Sequence, residues 1–281
     1  MSAVFYIKAG ISPDEYNRHN QLFSRKGVNS QPAGLNFYES NWRSEEKACV
    51  KLDNAAYSFI IPNVLSTTGV QDIAFPERGI DTFRVNSGIT ADEFISHDQA
   101  RILIMKMIQN FVMSGWKPYI EFYSDPRLSG QESYKYTILD GSYSPDPMYT
   151  PTLDEWMTTG SGHGWVLHAE NVFMDVRFRR NSQHMEKKGQ GVYLLSFKFK
   201  TLHANARDHF QEDEREQWLN LWVEKITQSR LMRYKLEVEL IKQGYHINTQ
   251  YIEPVIHPQD PVEPQGDRAD AYRDFILQYN N

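Results

Sequence analysis

Helical and strand periodicities follow one another along this chain, and the change between them predicts its elements. Ser96 is placed to cap a helix over 97–113, which Gly115 ends. Leu103, Ile104, Met107, Ile108 and Phe111 form one side of that helix, and Ile102, Met105 and Val112 another. Only a narrow stripe with Gln99, Lys106 and Asn110 is polar, so the spacing predicts a helix covered on most sides.

Period-two alternation takes over next. Strands are predicted over 119–123, 134–139, 165–169, 172–179 and 192–200. Val172, Met174, Val176 and Phe178 alternate with Asp175, Arg177 and Arg179. Tyr193, Leu195, Phe197 and Phe199 alternate with Ser196, Lys198 and Lys200. One charged face and one apolar face imply an antiparallel sheet, buried on one side and wet on the other.

A long helical region is predicted over 206–243, with Gly244 beyond its end and Asp208, Glu212, Asp213 and Glu214 near its start. Leu219, Trp222, Val223 and Ile226 make one stripe, while Leu231, Tyr234, Val238, Ile241 and Tyr245 make another. The step from Ile226 to Leu231 rotates the second stripe against the first, so a bend at 227–229 or two packed faces is expected. Pro254, Pro258, Pro261 and Pro264 mark an extended stretch, and 269–279 reads as a short last helix.

Residues 1–90 are less regular. Ser12, Pro13 and Glu15 signal a helix start that Gly27 would close, and 57–61 reads as a strand ended by Pro62. The fold class expected is α+β: an antiparallel sheet of about five or more strands, packed on one face by helices that include a long C-terminal helical region. Residues 1–90 are expected as an irregular segment or a small α/β subdomain. Residues 91–281 then form the main α+β domain with a Pro-rich C-terminal extension.

Composition narrows the class. An aromatic fraction of 13% excludes disorder and collagen, and no apolar run approaches the length of a transmembrane helix. A net charge of −6 argues against a general nucleic-acid binder. Cys49 is the single cysteine, which rules out an intrachain disulfide and a Cys-based zinc site. The start of the chain lacks a basic n-region and a long apolar core, so a cytoplasmic location is expected as written, or a periplasmic one if a leader has been removed.

Candidate chemistry is sparse. Gly160-Ser161-Gly162-His163-Gly164 could cradle a phosphate through backbone N–H groups, but it precedes a strand instead of opening a helix, so it reads as a plain flexible turn. His163, His168, His203 and His209 lack metal-ligand spacing, and neither a metal nor a cofactor is expected. Arg177, Arg179, Lys198 and Lys200 share the wet sheet face, as solvated charges or as a seat for an anionic partner. Asp154 and Glu155 follow Thr152, a good helix cap, and read as acids that complement the helix dipole. The loop over 141–151 combines three prolines with Tyr143, Asp146, Met148 and Tyr149, and Trp156 lies just beyond. Proline restricts a loop before it docks, and Tyr and Met are favoured at interfaces, so the loop reads either as a binding loop or as a rigid connector packed on its own domain.

Ser114-Gly115-Trp116-Lys117-Pro118-Tyr119, Tyr123-Ser124-Asp125-Pro126-Arg127-Leu128-Ser129-Gly130, the stretch 145–156 and Glu214-Arg215-Glu216-Gln217-Trp218 resemble bacterial immunity proteins encoded beside type VI secretion effectors, above all lipase effectors. The resemblance spans roughly residues 95–255. It implies a non-enzymatic inhibitor that binds and neutralises a cognate secreted toxin. The resemblance transfers no contact residues; the proline–tyrosine loop and the residues after it supply the candidate toxin-binding set, Tyr143, Asp146, Met148, Tyr149, Asp154, Glu155 and Trp156, and no catalytic residue is expected. The rival readings are an enzyme acting on a phosphate-bearing or glycan substrate, and an adaptor of a secretion machine that holds an effector through the long helix.

Overall fold

The computed structural model describes residues 4–23, 26–32, 34–43, 45–121 and 123–260. Its centre is one large mixed sheet of eleven strands. In chain order these are β1 (Val4–Ile7), β2 (Lys26–Gln31), β3 (Leu35–Asn41), β4 (Ala48–Leu52), β5 (Phe59–Asp72), β6 (Thr82–Gly88), β7 (Phe94–Ser96), β8 (Lys117–Pro118), β9 (Gly164–Ala169), β10 (Val172–Arg180) and β11 (Gln190–Thr201). The main path runs β1-β4-β5-β6-β11-β10-β9-β8; β3 joins β2 to β5, and β7 pairs with β11. Every pair is antiparallel except β1 with β4. The helices are α1 (Pro13–His19), α2 (His97–Met113), α3 (Gly130–Leu139), α4 (Leu153–Thr158), α5 (Leu202–Arg207) and α6 (Trp218–Lys242). The fold class is α+β, and no helix among the described residues is long and apolar enough to cross a membrane.

Alternation in β10 and β11 sets the two faces of the sheet. Met174, Val176, Phe178, Leu195, Phe197 and Phe199 lie in one core with Ile104, Met105 and Ile108 of α2. Burying an aliphatic chain of this size contributes roughly 1.5–3 kcal/mol. Phe173 and Val166 point the other way, into a second core built from Tyr119, Tyr123, Phe210, Trp218, Trp222 and Ile226. The charged face is therefore roofed at one end by the α5–α6 region. Wet sheet remains beside it.

Residues 4–88 supply six strands, β1 to β6, and β6 pairs with β11 from Gly88–Leu194 to Thr82–Lys200. They are part of the same sheet, where the sequence reads as irregular. Pro62 does not end a strand, because β5 runs through it. It sits where the β4 register shifts, and β6 pairs with β5 only from Val64 onward, so its missing N–H disturbs no regular ladder. Gly27 lies within β2, and α1 ends at Asn20 instead. The Asn20 side chain accepts from the Tyr6 N–H and donates to the Tyr6 carbonyl, tying the helix end to β1.

Two predicted strands are absent. Residues 134–139 belong to α3, whose buried residues Ser133, Tyr134 and Thr137 follow helical spacing; Tyr134, Tyr136 and Ile138 imitate alternation only by chance. Lys117–Pro118 pairs with β9 and the Tyr119 N–H still donates to the Val166 carbonyl, after which the chain leaves the sheet and the Ile120 N–H bonds the Tyr251 hydroxyl. The long helical region is also divided. Thr201 caps α5, a turn carries Asp208 through Glu214, and α6 then runs unbroken through the expected bend at 227–229. The last helix expected over 269–279, with Pro261 and Pro264, lies outside the described residues.

Candidate functional site

The proline–tyrosine loop is built from the inside. Tyr143 is buried, donates to the Pro126 carbonyl at 3.0 Å and accepts from the Leu128 N–H. Burial pushes its phenol above the ordinary range. Asp146 lies between two backbone donors, taking the Gly130 N–H on Oδ2 and the Met148 N–H on Oδ1, each at 2.8 Å. One carboxylate thus serves the first residue of α3 and closes its own turn. Pro145 and Pro147 are buried on either side.

The chain then turns into α4. Thr152 and Glu155 form a capping box, and Glu155 also accepts from the Tyr149 hydroxyl at 2.8 Å. Burial opposes the charge on Glu155, but hydrogen bonds from the Thr152 N–H, Gln131 and Tyr149 outweigh it and hold the carboxyl below its ordinary value. Trp156 has no exposed surface; it stacks on Phe178 at 4.3 Å and donates to the Tyr193 hydroxyl.

Tyr143 and Trp156 therefore offer a partner nothing to touch, contrary to the expectation that they contact a toxin. Asp146 acts as a clamp within the loop. Tyr149 and Glu155 are half-buried partners of one another, while Met148 and Asp154 face solvent, the latter paired with Lys187.

An adjoining surface escaped the sequence reading. Ile102, Leu103 and Met113 of α2 are 46%, 41% and 69% exposed, although their helix looked covered on most sides. Gln109 projects from the same side as Ile102 and Met113, and donates to the Met148 carbonyl and the Thr150 hydroxyl. Arg101 donates to the Pro151 carbonyl at 2.7 Å. The loop is thus fastened along α2, with Met148 beside the helix. On the other flank, an apolar groove of about 450 Å³ lies between α2 and β5, lined by Ile60, Leu103, Met107 and Phe111 among others. Loop tip, exposed helix residues and groove thus adjoin one another, with the polar side chains of Lys106, Gln109 and Asn110 interspersed among them.

The remaining candidates are brought together differently. The turn before β9 is pinned to β10: the Gly162 N–H donates to Phe178, and the Ser161 hydroxyl accepts from the Arg180 N–H. Gly164 is required there, since a β-carbon would lie 2.0 Å from the Val176 carbonyl oxygen. Burial lowers the pKa of His163, His168 and His209, the last two to about 4. No three His, Cys, Asp or Glu side chains converge as a metal set among the described residues.

The basic residues of the open sheet face do meet. Arg84, Arg177, Arg179, Lys198 and Lys200 line a polar cleft of about 570 Å³, which Arg215 joins from the segment before α6. Comparison with family models, curated proteins and solved structures finds no match to this chain.

Proposed function

We propose that this chain is a non-enzymatic binding protein of the immunity type, which neutralises a cognate secreted bacterial toxin by covering it. One observation carries the reading: Ile102, Leu103 and Met113 of α2 stand exposed, with Lys106 and Asn110 among them, beside a loop that the fold holds rigid. Contiguous exposed apolar surface costs solubility and marks interaction sites, and methionine is enriched in them. A loop already fixed by Asp146, buried prolines and the Thr152–Glu155 capping box loses little entropy on docking. The resemblance of residues 95–255 to immunity proteins beside lipase effectors supplies the class of partner.

The adaptor reading has less support. The exposed apolar residues of α6, Leu219, Met232 and Ile241, are widely spaced along it and make no continuous stripe.

The test is survival of cells that express this chain and are challenged with the secreted toxin encoded beside its gene. Wild-type chain protects, and Met113→Glu or Ile102→Glu abolishes protection while melting is unchanged. Equal survival with and without the chain overturns the proposal.

A further inference from the structure

The cleft on the opposite face of the sheet from α2 has a charge arrangement that its own packing does not explain. Arg84 of β6 and Lys198 of β11 are register partners, so two cations stand directly opposite on adjacent strands. Like charges in that position destabilise a sheet. The next partner in the row is Asp175 on β10, but that carboxylate is taken by Arg177, whose Nε lies 2.8 Å from Asp175 Oδ2. Arg177 is held further by the Gly162 carbonyl, which accepts from Nη1 at 3.2 Å.

Lys200 is satisfied. It sits 3.0 Å from Asp208 and 3.4 Å from Glu121, and those acids overcome the effect of burial to keep its ammonium charged. Lys198 is not. Asp208 is 3.7 Å away and already engaged, and burial together with Lys200 lowers the Lys198 pKa. Arg84 and Arg179 are exposed and have no acidic partner among the described residues. The cleft therefore gathers six cations, Arg215 included, against the three carboxylates Glu121, Asp175 and Asp208. Its histidine, His209, adds no charge at neutral pH, because burial lowers its pKa to about 4. An excess of three positive charges is concentrated here in a chain whose net charge is −6.

We propose that this cleft is a binding site for a small phosphate-bearing ligand carrying at least two negative charges, of the diphosphate or phosphomonoester class. Guanidinium forks match phosphate oxygens bidentately, and Arg84 and Arg179, which have no acidic partner among the described residues, come from the two strands that flank β11. Lys198 lies between them, where an anion would relieve its repulsion from Arg84. A single carboxylate would leave most of the excess charge uncompensated. The volume matches a small-molecule pocket and exceeds what a lone phosphate fills.

Calorimetric titration of the full chain with inorganic pyrophosphate tests the site. One equivalent binds, affinity falls with added salt, and Arg84→Gln or Arg179→Gln weakens it by about tenfold or more without lowering the melting temperature. Flotation with phosphatidylcholine vesicles containing phosphatidic acid identifies the source of the phosphate. Binding to vesicles alone, lost in the same variants, assigns a lipid headgroup; binding to pyrophosphate assigns a soluble ester. The proposal is overturned if neither probe binds, if both variants bind like wild type, or if a poly-glutamate peptide binds more tightly than pyrophosphate. Met113→Glu leaves pyrophosphate binding intact, so the cleft and the α2 face are tested separately.

Discussion

Arg127 and Glu237 hold each other across 110 residues of sequence through three hydrogen bonds. The Arg127 backbone N–H and Nε both donate to Glu237 Oε1, at 2.8 and 2.9 Å, and Nη2 donates to Oε2 at 2.8 Å. Both side chains are buried. The pair fastens the segment before α3 to the C-terminal part of α6. Removing one member strands a charge in the interior, which costs about 3–5 kcal/mol. Glu237→Ala is expected to lower the urea midpoint accordingly, and a midpoint within error of wild type would show that the pair is dispensable.

Glu253 makes a second buried cluster with Arg230 and Arg233. Burial opposes its charge, but Arg233 and then Arg230 prevail and hold the carboxyl below its ordinary value. A carboxyl depressed by folding stabilises the protein above its unfolded pKa, and that contribution is lost as pH falls through the folded one. Stability measured by denaturant from pH 7 downward should drop below the ordinary carboxylate range. Glu253→Gln should flatten this acid limb while costing stability at pH 7.

Asp125 carries the opposite sign. Burial, and then Asp140, push its carboxyl up to about 7, against the pull of Arg233. The folded state therefore holds this proton more tightly, and stability contributed below pH 4 is lost as pH rises towards 7. Asp125→Asn should raise the melting temperature most above pH 7, with the gain shrinking as pH falls. A gain independent of pH would remove titration as its cause.

Trp156 is a core residue despite its place beside the proline loop. Its stacking on Phe178 and its bond to Tyr193 predict a loss of about 3–5 kcal/mol for Trp156→Ala, read from the unfolding midpoint. An unchanged midpoint accompanied by weaker toxin binding would restore it to the surface.

Arg84→Gln should separate stability from ligand binding. Removing the cation opposite Lys198 is expected to stabilise the unliganded chain by about 0.2–1 kcal/mol at low ionic strength. High salt should erase the gain. Destabilisation by this change would mean that Arg84 supports the fold.

The elements legible in the sequence were those whose buried positions are apolar. Ser96 and Gly115 bracketed α2 as read, and alternation marked β9, β10 and β11 to within a few residues. α6 shows why other readings shifted. Its buried line passes through Trp218, Trp222, Ile226, Arg230, Arg233, Glu237 and Leu240 at regular helical steps. Three of these are charged, so an apolar pattern skips them and starts a second, rotated stripe at Leu231. Distant partners made those positions core, and a distant partner is invisible to local periodicity. Much the same holds for the sites. The basic alternation placed Arg177, Arg179, Lys198 and Lys200 on one face, but Arg84 reached them only through β6–β11 pairing. Tyr143 and Trp156 looked like contact residues because composition records what a side chain is and says nothing about what covers it.

The β6–β11 ladder also imposes an order of events on synthesis. When β6 emerges, its neighbour in the finished sheet is still about a hundred residues from being made, since β11 begins at Gln190. Until then the N-terminal strands present a bare edge, the form of surface on which nascent chains stick to one another. The sheet closes only after residue 201 has left the ribosome, and cutting the chain anywhere between these two strands would leave that edge open in both fragments.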